Sequence, residues 1–194
     1  MLISDIQNDL YRLTAHKDIR SFIRCYIRYR GFRLLVYHRV MGQKTIIPRW
    51  LVNRLSQSLQ IKMHVELPAS VQLGKGALFL HPYGIVIHRD AVIGENFTML
   101  KGATIGLDLT KNVGVPQIGN NVYLGLNSTV VGSITIGDDV VIAANTFVNF
   151  DVPDGSVVLG SPGVIHRGSP ELKKYTINSI EQMNRSSNMQ QQGR

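Results

Sequence analysis

Few groups in this chain can move a proton or hold a metal: six histidines, thirteen carboxylates and one cysteine in 194 residues. Cys25 has no neighbouring base and no feature that would lower a thiol pKa, so it reads as a half-buried helix residue. A zinc site needs three or four well-spaced ligands. His81 and His88 lie seven residues apart and none follows until His166, so no metal is expected. His38 and His64 stand in no motif. His81 stands in Leu80-His81-Pro82-Tyr83-Gly84, with His88 as a competing candidate, and Glu66 lies fifteen residues before His81. At neutral pH an imidazole can serve as a general acid or base.

Such groups need a scaffold, and the periodicity of the chain indicates one. In steps of six, Ile87, Ile93, Met99 and Ile105 are all aliphatic or thioether, and the register resumes at Ile118, Leu124, Val130, Ile136, Ile142 and Val148. Glycine follows at 94, 106, 119, 125 and 137. Leu73 and Phe79 keep the same period, which then slips by two near Pro82-Tyr83. Period six is neither helical nor a simple alternation. It predicts a coil of flat strands and tight corners, with eighteen residues to a triangular turn. Asn96, Asn120, Asn127 and Asn145 suit corners, where φ is often positive. Such a narrow prism fills its own interior, so an active site must lie outside it, against a loop or a second subunit. Flat outer faces invite a cyclic homo-oligomer. The stretch 107–117 interrupts the register and reads as a loop thrown out from one corner, where function tends to sit.

Charge divides the chain. Residues 1–63 hold twelve Lys/Arg against three Asp/Glu, residues 64–165 four against eight, and the remainder five against two, for a net +8. Residues 3–13 and 17–41 have helical spacing, with Ile19, Ile23, Tyr26, Ile27, Leu34 and Tyr37 as one apolar stripe and Arg20, Arg24, Arg28 and Arg39 off it. Gly31 is a possible break in the second helix, and Pro48 can open a third over 48–60. The basic segment has three readings: packing on the coil or on other subunits, contact with an anionic membrane or polymer, or nucleic acid. No recognition motif accompanies the charge, so nucleic acid is the weakest. No apolar run is long enough to span a bilayer, no signal peptide layout is present, and a single cysteine suits a reducing compartment. A cytoplasmic protein is expected, with the basic segment able to reach the inner face of the membrane. The expected organisation is a helical segment over 1–63, the coil over 64–168 and a partly disordered tail over 169–194, most plainly from 180 onward.

Residues 66–165 resemble the serine O-acetyltransferase branch of the hexapeptide acyltransferases. The carrying segments are Glu66-Leu67-Pro68-Ala69-Ser70, Leu80-His81-Pro82-Tyr83-Gly84, Ala91-Val92-Ile93-Gly94, Gly102-Ala103-Thr104-Ile105-Gly106 and the closing Leu159-Gly160-Ser161-Pro162-Gly163-Val164-Ile165. The resemblance implies a left-handed parallel β-helix, mainly β with a short helical N-terminal segment, working as a homotrimer with its active site between subunits. It implies acetyl-CoA as co-substrate, His81 as general base and Glu66, where the family usually keeps an aspartate, as its orienting acid. CoA would lie along an outer groove near Gly106, Leu107, Leu126 and Ala144, with Lys111, Arg167 and Lys173 towards its phosphates. An oxyanion donor is expected among the amides of 102–106. Tyr83, His88 and Val115 would line the acceptor site.

This chain departs from that branch at Leu80, where the branch carries aspartate, and at Gly114-Val115, where it carries an Arg-His pair that holds the amino acid's charges. Burying an unpaired zwitterion is costly. A neutral hydroxyl on a sugar or lipid-linked polysaccharide, as in capsule and exopolysaccharide O-acetyltransferases, is therefore the expected acceptor, with serine as the alternative. A γ-type carbonic anhydrase, which shares the scaffold, is disfavoured by the missing histidines. A non-enzymatic structural β-helix would have no reason to combine Glu66, His81 and the 107–117 loop.

Overall fold

The computed structural model describes residues 2–43, 46–168 and 174–184; Lys173 and the tail beyond 184 lie outside these. Four helices come first: α1 (Leu2–Thr14), α2 (Ile19–Arg28), α3 (Arg30–Met41) and α4 (Arg49–Met63). The strands then wind a triangular coil. Its first turn is β1 (Gln72–Leu73), β2 (Leu78–Leu80) and β3 (Val86–Ile87). The second is β4 (Val92–Ile93), β5 (Thr98–Leu100) and β6 (Thr104–Gly106). The third is β7 (Gln117–Ile118), β8 (Tyr123–Leu124) and β9 (Thr129–Val131), and the fourth β10 (Thr135–Ile136), β11 (Val141–Ile142) and β12 (Phe147–Val148). The strands β13 (Ser156–Leu159) and β14 (Val164–Arg167) close the top as an antiparallel pair, whereas every other strand pairing is parallel.

Three sheets form the prism faces. Sheet one is β1-β4-β7-β10, sheet two β2-β5-β8-β11-β13-β14 and sheet three β3-β6-β9-β12. All ten residues of the six-step register are buried. The residues two positions earlier, Ile85, Ala91, Phe97, Ala103, Val122, Ile134 and Val140, are buried with them. Alternate residues of a strand share a face, so each hexapeptide sends two side chains inward before its corner. Each fully buried aliphatic contributes about 1.5–3 kcal/mol.

The register also locates the two interruptions. Phe79 to Ile87 takes eight residues for one face, so the extra pair lies at Pro82-Tyr83, as the spacing predicts. Ile105 to Ile118 takes thirteen, and Ile105 pairs with Val130 in the next turn, so seven residues leave the coil as a loop.

Several expectations need correction. The αL corner residue is Asn121, not Asn120. Asn120 instead accepts the Glu95 amide at 2.8 Å, while its own amide donates to Asp138 at 2.6 Å. Gly31 does not break a helix; Tyr29 does, in an extended conformation. A Cβ at Gly31 would stand 2.3 Å from the Phe79 carbonyl oxygen, so glycine is what lets α3 lie on β2. The bend at Tyr29 also splits the apolar stripe. Leu34 is buried and the Tyr26 and Tyr37 hydroxyls bond at 3.0 Å, but Ile19, Ile23 and Ile27 are exposed. Part of the tail lies within the described residues. Ile180 is buried, and its amide donates to Asn96 at 3.1 Å, because the corner side chain has acceptor capacity to spare.

Arginines weld the helices to the coil. Arg39, expected on a polar face, is buried against Asp9 at 2.9 Å and also donates to the carbonyls of Leu73 and Gly74. Arg12 is fully buried and donates to Gly76, Asn96, Ile177 and the Thr98 hydroxyl. A buried guanidinium needs its donors satisfied: Arg39 is paired with a carboxylate and hydrogen-bonded, and Arg12 is held by carbonyl and hydroxyl acceptors. No helix among the described residues is long and apolar enough to cross a membrane.

Candidate active site

His81 sits on the corner between β2 and β3, where the two extra residues widen the turn. Its φ is +50°, and its carbonyl accepts the Tyr83 amide at 2.7 Å. The corner is pinned from both sides: the Gly84 amide donates to Met63, and the Gly102 amide donates to Tyr83. His81 is exposed and faces a cleft of about 440 Å³. The opposite wall is the α2–α3 bend, Arg28-Tyr29-Arg30-Gly31. Arg30 donates to the Tyr83 hydroxyl, and its guanidinium lies 5.9 Å from the centre of that ring. Sequence reading placed Tyr83 here but missed Arg28 and Arg30. The available signal was a glycine in helical spacing directly after Arg-Tyr-Arg, which marks a bend seated close on another element.

Glu66 lies beneath Val86, in the rung below β3, with its amide donating to Ile85 and its carbonyl accepting from Ile87. Its side chain is exposed and lines an open groove with Gln60 and His64. No ion pair or hydrogen bond joins Glu66 to His81 among the described residues. His88 is one corner further round. Its Nδ1 accepts the Asp90 amide at 3.3 Å and stands 3.8 Å from the Asp90 carboxylate.

The remaining expected site residues fall into groups. Leu126 and Ala144 are exposed on the His81 corner in successive turns, and Leu126 accepts the Asn145 amide at 2.8 Å. Among the described residues, the amides of Leu126 and Ala144 donate to no other group. Gly106, Leu107, Lys111 and Val115 belong to the next corner, where the loop leaves after β6. That loop folds on itself: Asp108 and Gly114 exchange backbone bonds, and the Asp108 carboxylate accepts from Thr110. Those Thr110 bonds hold the Asp108 carboxyl below its usual range. Lys111, Leu109 and Val113 are exposed on the loop, whereas Val115 is half-buried and packs on the core. Arg167 pairs with Ser156 at the far end of sheet two, away from the His81 corner. The amides of Gly102, Ala103 and Thr104 already donate to Tyr83, Leu100 and Ser128, so they are no oxyanion donors.

Comparison with known proteins matches this architecture. Residues 117–149 match the family model of the hexapeptide repeat of succinyl-transferase. The chain is 35% identical to serine acetyltransferase of Synechococcus elongatus over 81% of this chain and 66% of that protein. It is 31% identical to the chloroplastic serine acetyltransferase 1 of Arabidopsis thaliana, over 80% of this chain and 50% of that one. The soybean serine acetyltransferase apoenzyme superposes with a TM-score of 0.71 at 32% identity, covering 85% of this chain and 69% of the soybean chain. The chain belongs to the hexapeptide-repeat acyltransferases. Serine acetyltransferase from Neisseria gonorrhoeae superposes with a TM-score of 0.73 at 25% identity, over 89% and 70% of the two chains. The coil of this hexapeptide-repeat acyltransferase is thus the left-handed parallel β-helix. The chain spans half to two thirds of the length of these two curated relatives. The relatives named are serine acetyltransferases, and no glycan acetyltransferase is among them.

Proposed function

We propose that this hexapeptide-repeat acyltransferase moves an acetyl group from acetyl-CoA to a hydroxyl, with His81 as general base. The observation that carries this reading is His81 itself: an exposed imidazole on a pinned corner, facing a cleft of a size that holds a small molecule. The imidazole takes the hydroxyl proton as the oxygen attacks the thioester carbonyl. The tetrahedral intermediate then expels the CoA thiolate, which recovers the proton. Glu66 is the proposed orienting acid, one rung below the same face. The unengaged amides of Leu126 and Ala144, one turn apart, suit the pantetheine arm of CoA, with Gly106, Leu107 and Lys111 approaching it from the loop.

His81, Tyr83, Leu126 and Ala144 occupy one corner, and His88, Gly106, Leu107 and Lys111 the next, with sheet three between them. Both groups meet one acceptor only if a second copy brings its loop to the first copy's His81 corner. The exposed Leu109 and Val113 on that loop support such a contact, and a closed ring of three prisms satisfies it. The exposed Ile19, Ile23 and Ile27 beside Arg20 and Arg24 support contact of the basic segment with an anionic surface.

Serine is the proposed acceptor, as in the relatives. A glycan hydroxyl is the second reading, favoured by the uncharged Leu80, Gly114 and Val115. The test is thiol release from acetyl-CoA with serine and with a sugar panel. His81→Asn keeps the αL corner, since asparagine tolerates positive φ, but removes the base. Turnover should fall about 10²–10⁴-fold. Undiminished turnover in a folded His81→Asn protein would discard His81 as the base.

A further inference from the structure

The cleft at His81 is strongly cationic, and nothing in the described structure neutralises it. Arg28 ends α2 and Arg30 begins α3, so the bend at Tyr29 presents both on the same cleft as the imidazole. Neither guanidinium has a carboxylate partner among the described residues. Asp9 also lines this cleft, but Arg39 takes both of its oxygens and the Ala77 amide adds a third bond. Two positive side chains thus line one cleft, and an anion bound there would offset their charge. Arg30 is also preorganised. The Tyr83 hydroxyl and ring hold its guanidinium, leaving most of its five donors free. A planar guanidinium fork matches a carboxylate or phosphate and has no comparable complement in a neutral polyol.

We infer that Arg28 and Arg30 form the anion receptor of the acceptor site, so that the hydroxyl compound acetylated at His81 carries a carboxylate or a phosphate. This rests on the acyl-transfer reading of His81 and deepens it. Charge recognition here comes from a helix bend, and the loop residues Gly114 and Val115 take no part. A free glycan of neutral sugars is excluded as the preferred acceptor.

Calorimetry on the full chain tests the receptor without turnover, with glycerate, glycerol phosphate and glycerol as probes. Both anions should bind and glycerol should not over the same range. Arg28→Gln and Arg30→Gln should each weaken the anions about tenfold or more, whereas Arg20→Gln, on the outer side of α2, should leave them unchanged. The tighter anion identifies carboxylate or phosphate. Equal binding of glycerol, unaltered anion affinity in the double variant, or no anion binding would each overturn the receptor. In thiol-release kinetics, Arg30→Gln should raise KM for the anionic acceptor and leave KM for acetyl-CoA alone. A rise in KM for acetyl-CoA only would assign the arginines to CoA and also overturn the inference. Anion binding that persists in a protein with no acetyl transfer would instead discard the role of His81 and keep the receptor.

Discussion

His38 shows how a single side chain can tie stability to pH. It is buried on α3, its Nδ1 has no partner among the described residues, and it lies next to Arg39. Burial first, and then the Arg39 charge, push its pKa down to about 4, with a hydrogen bond to the Val71 backbone working the other way. In the unfolded chain the same imidazole titrates near its ordinary value. Between those two values only the unfolded state binds the proton, so stability is full above about pH 6.5 and falls as pH drops towards 4. The loss attributable to His38 is about 2–3 kcal/mol. Chemical denaturation at pH 8 and pH 4.5 should show this drop in the native protein and a smaller one in His38→Leu. Equal drops would mean that other groups carry the acid sensitivity. The two-residue slip beside His81 was open to inspection in the chain, but the burial of His38 was not. A lone histidine in a helical stretch carries no mark of which face it occupies.

At the scale of elements, the docking of α3 on β2 decides whether the His81 cleft exists. Gly31 makes that contact, with the Phe79 carbonyl where a side chain would begin. A methyl there cannot be accommodated by rotating a side chain, because the obstacle is backbone. Gly31→Ala should therefore destabilise the protein by about 1–3 kcal/mol, the usual cost of overpacking, read as a lower midpoint in urea. It should also weaken the binding of small anions to the cleft, since the adjacent Arg30 moves with the helix. An unchanged midpoint would show that α3 is free to lift from the coil. Sequence reading located the strands through the inward aliphatics and found the two-residue slip at Pro82-Tyr83. It also expected a helix break, and the break falls at Tyr29, two residues before Gly31. Glycine has one local meaning as a helix breaker and another as a seat for close packing. Only the neighbouring strand tells them apart.

For the whole molecule, the decisive feature is the separation of the proposed site residues onto two corners. The prism interior is filled, so no rearrangement of one copy brings His81 and the 107–117 loop together across sheet three. The exposed Leu109 should therefore matter to assembly more than to folding. Leu109→Glu is expected to reduce the proposed oligomer in sedimentation velocity and to lower turnover in parallel, while the unfolding free energy of the separated chain stays within about 0.5 kcal/mol, as for other exposed substitutions. A fully assembled, fully active Leu109→Glu protein would rule the loop out of the contact.

By itself the sequence determined the coil, because a stacked prism repeats one demand every six residues: an apolar side chain inward, then a corner. That demand is local and periodic, so it is visible along the chain, as are the extruded loop and the widened His81 corner. Tertiary structure alone decided which arginines face the cleft, that Arg12 and Arg39 are buried ties rather than surface charge, and that Val115 packs on the core. Those outcomes depend on how helices of no fixed register settle on the coil. Contacts between residues thirty or more positions apart leave no periodic trace in either partner.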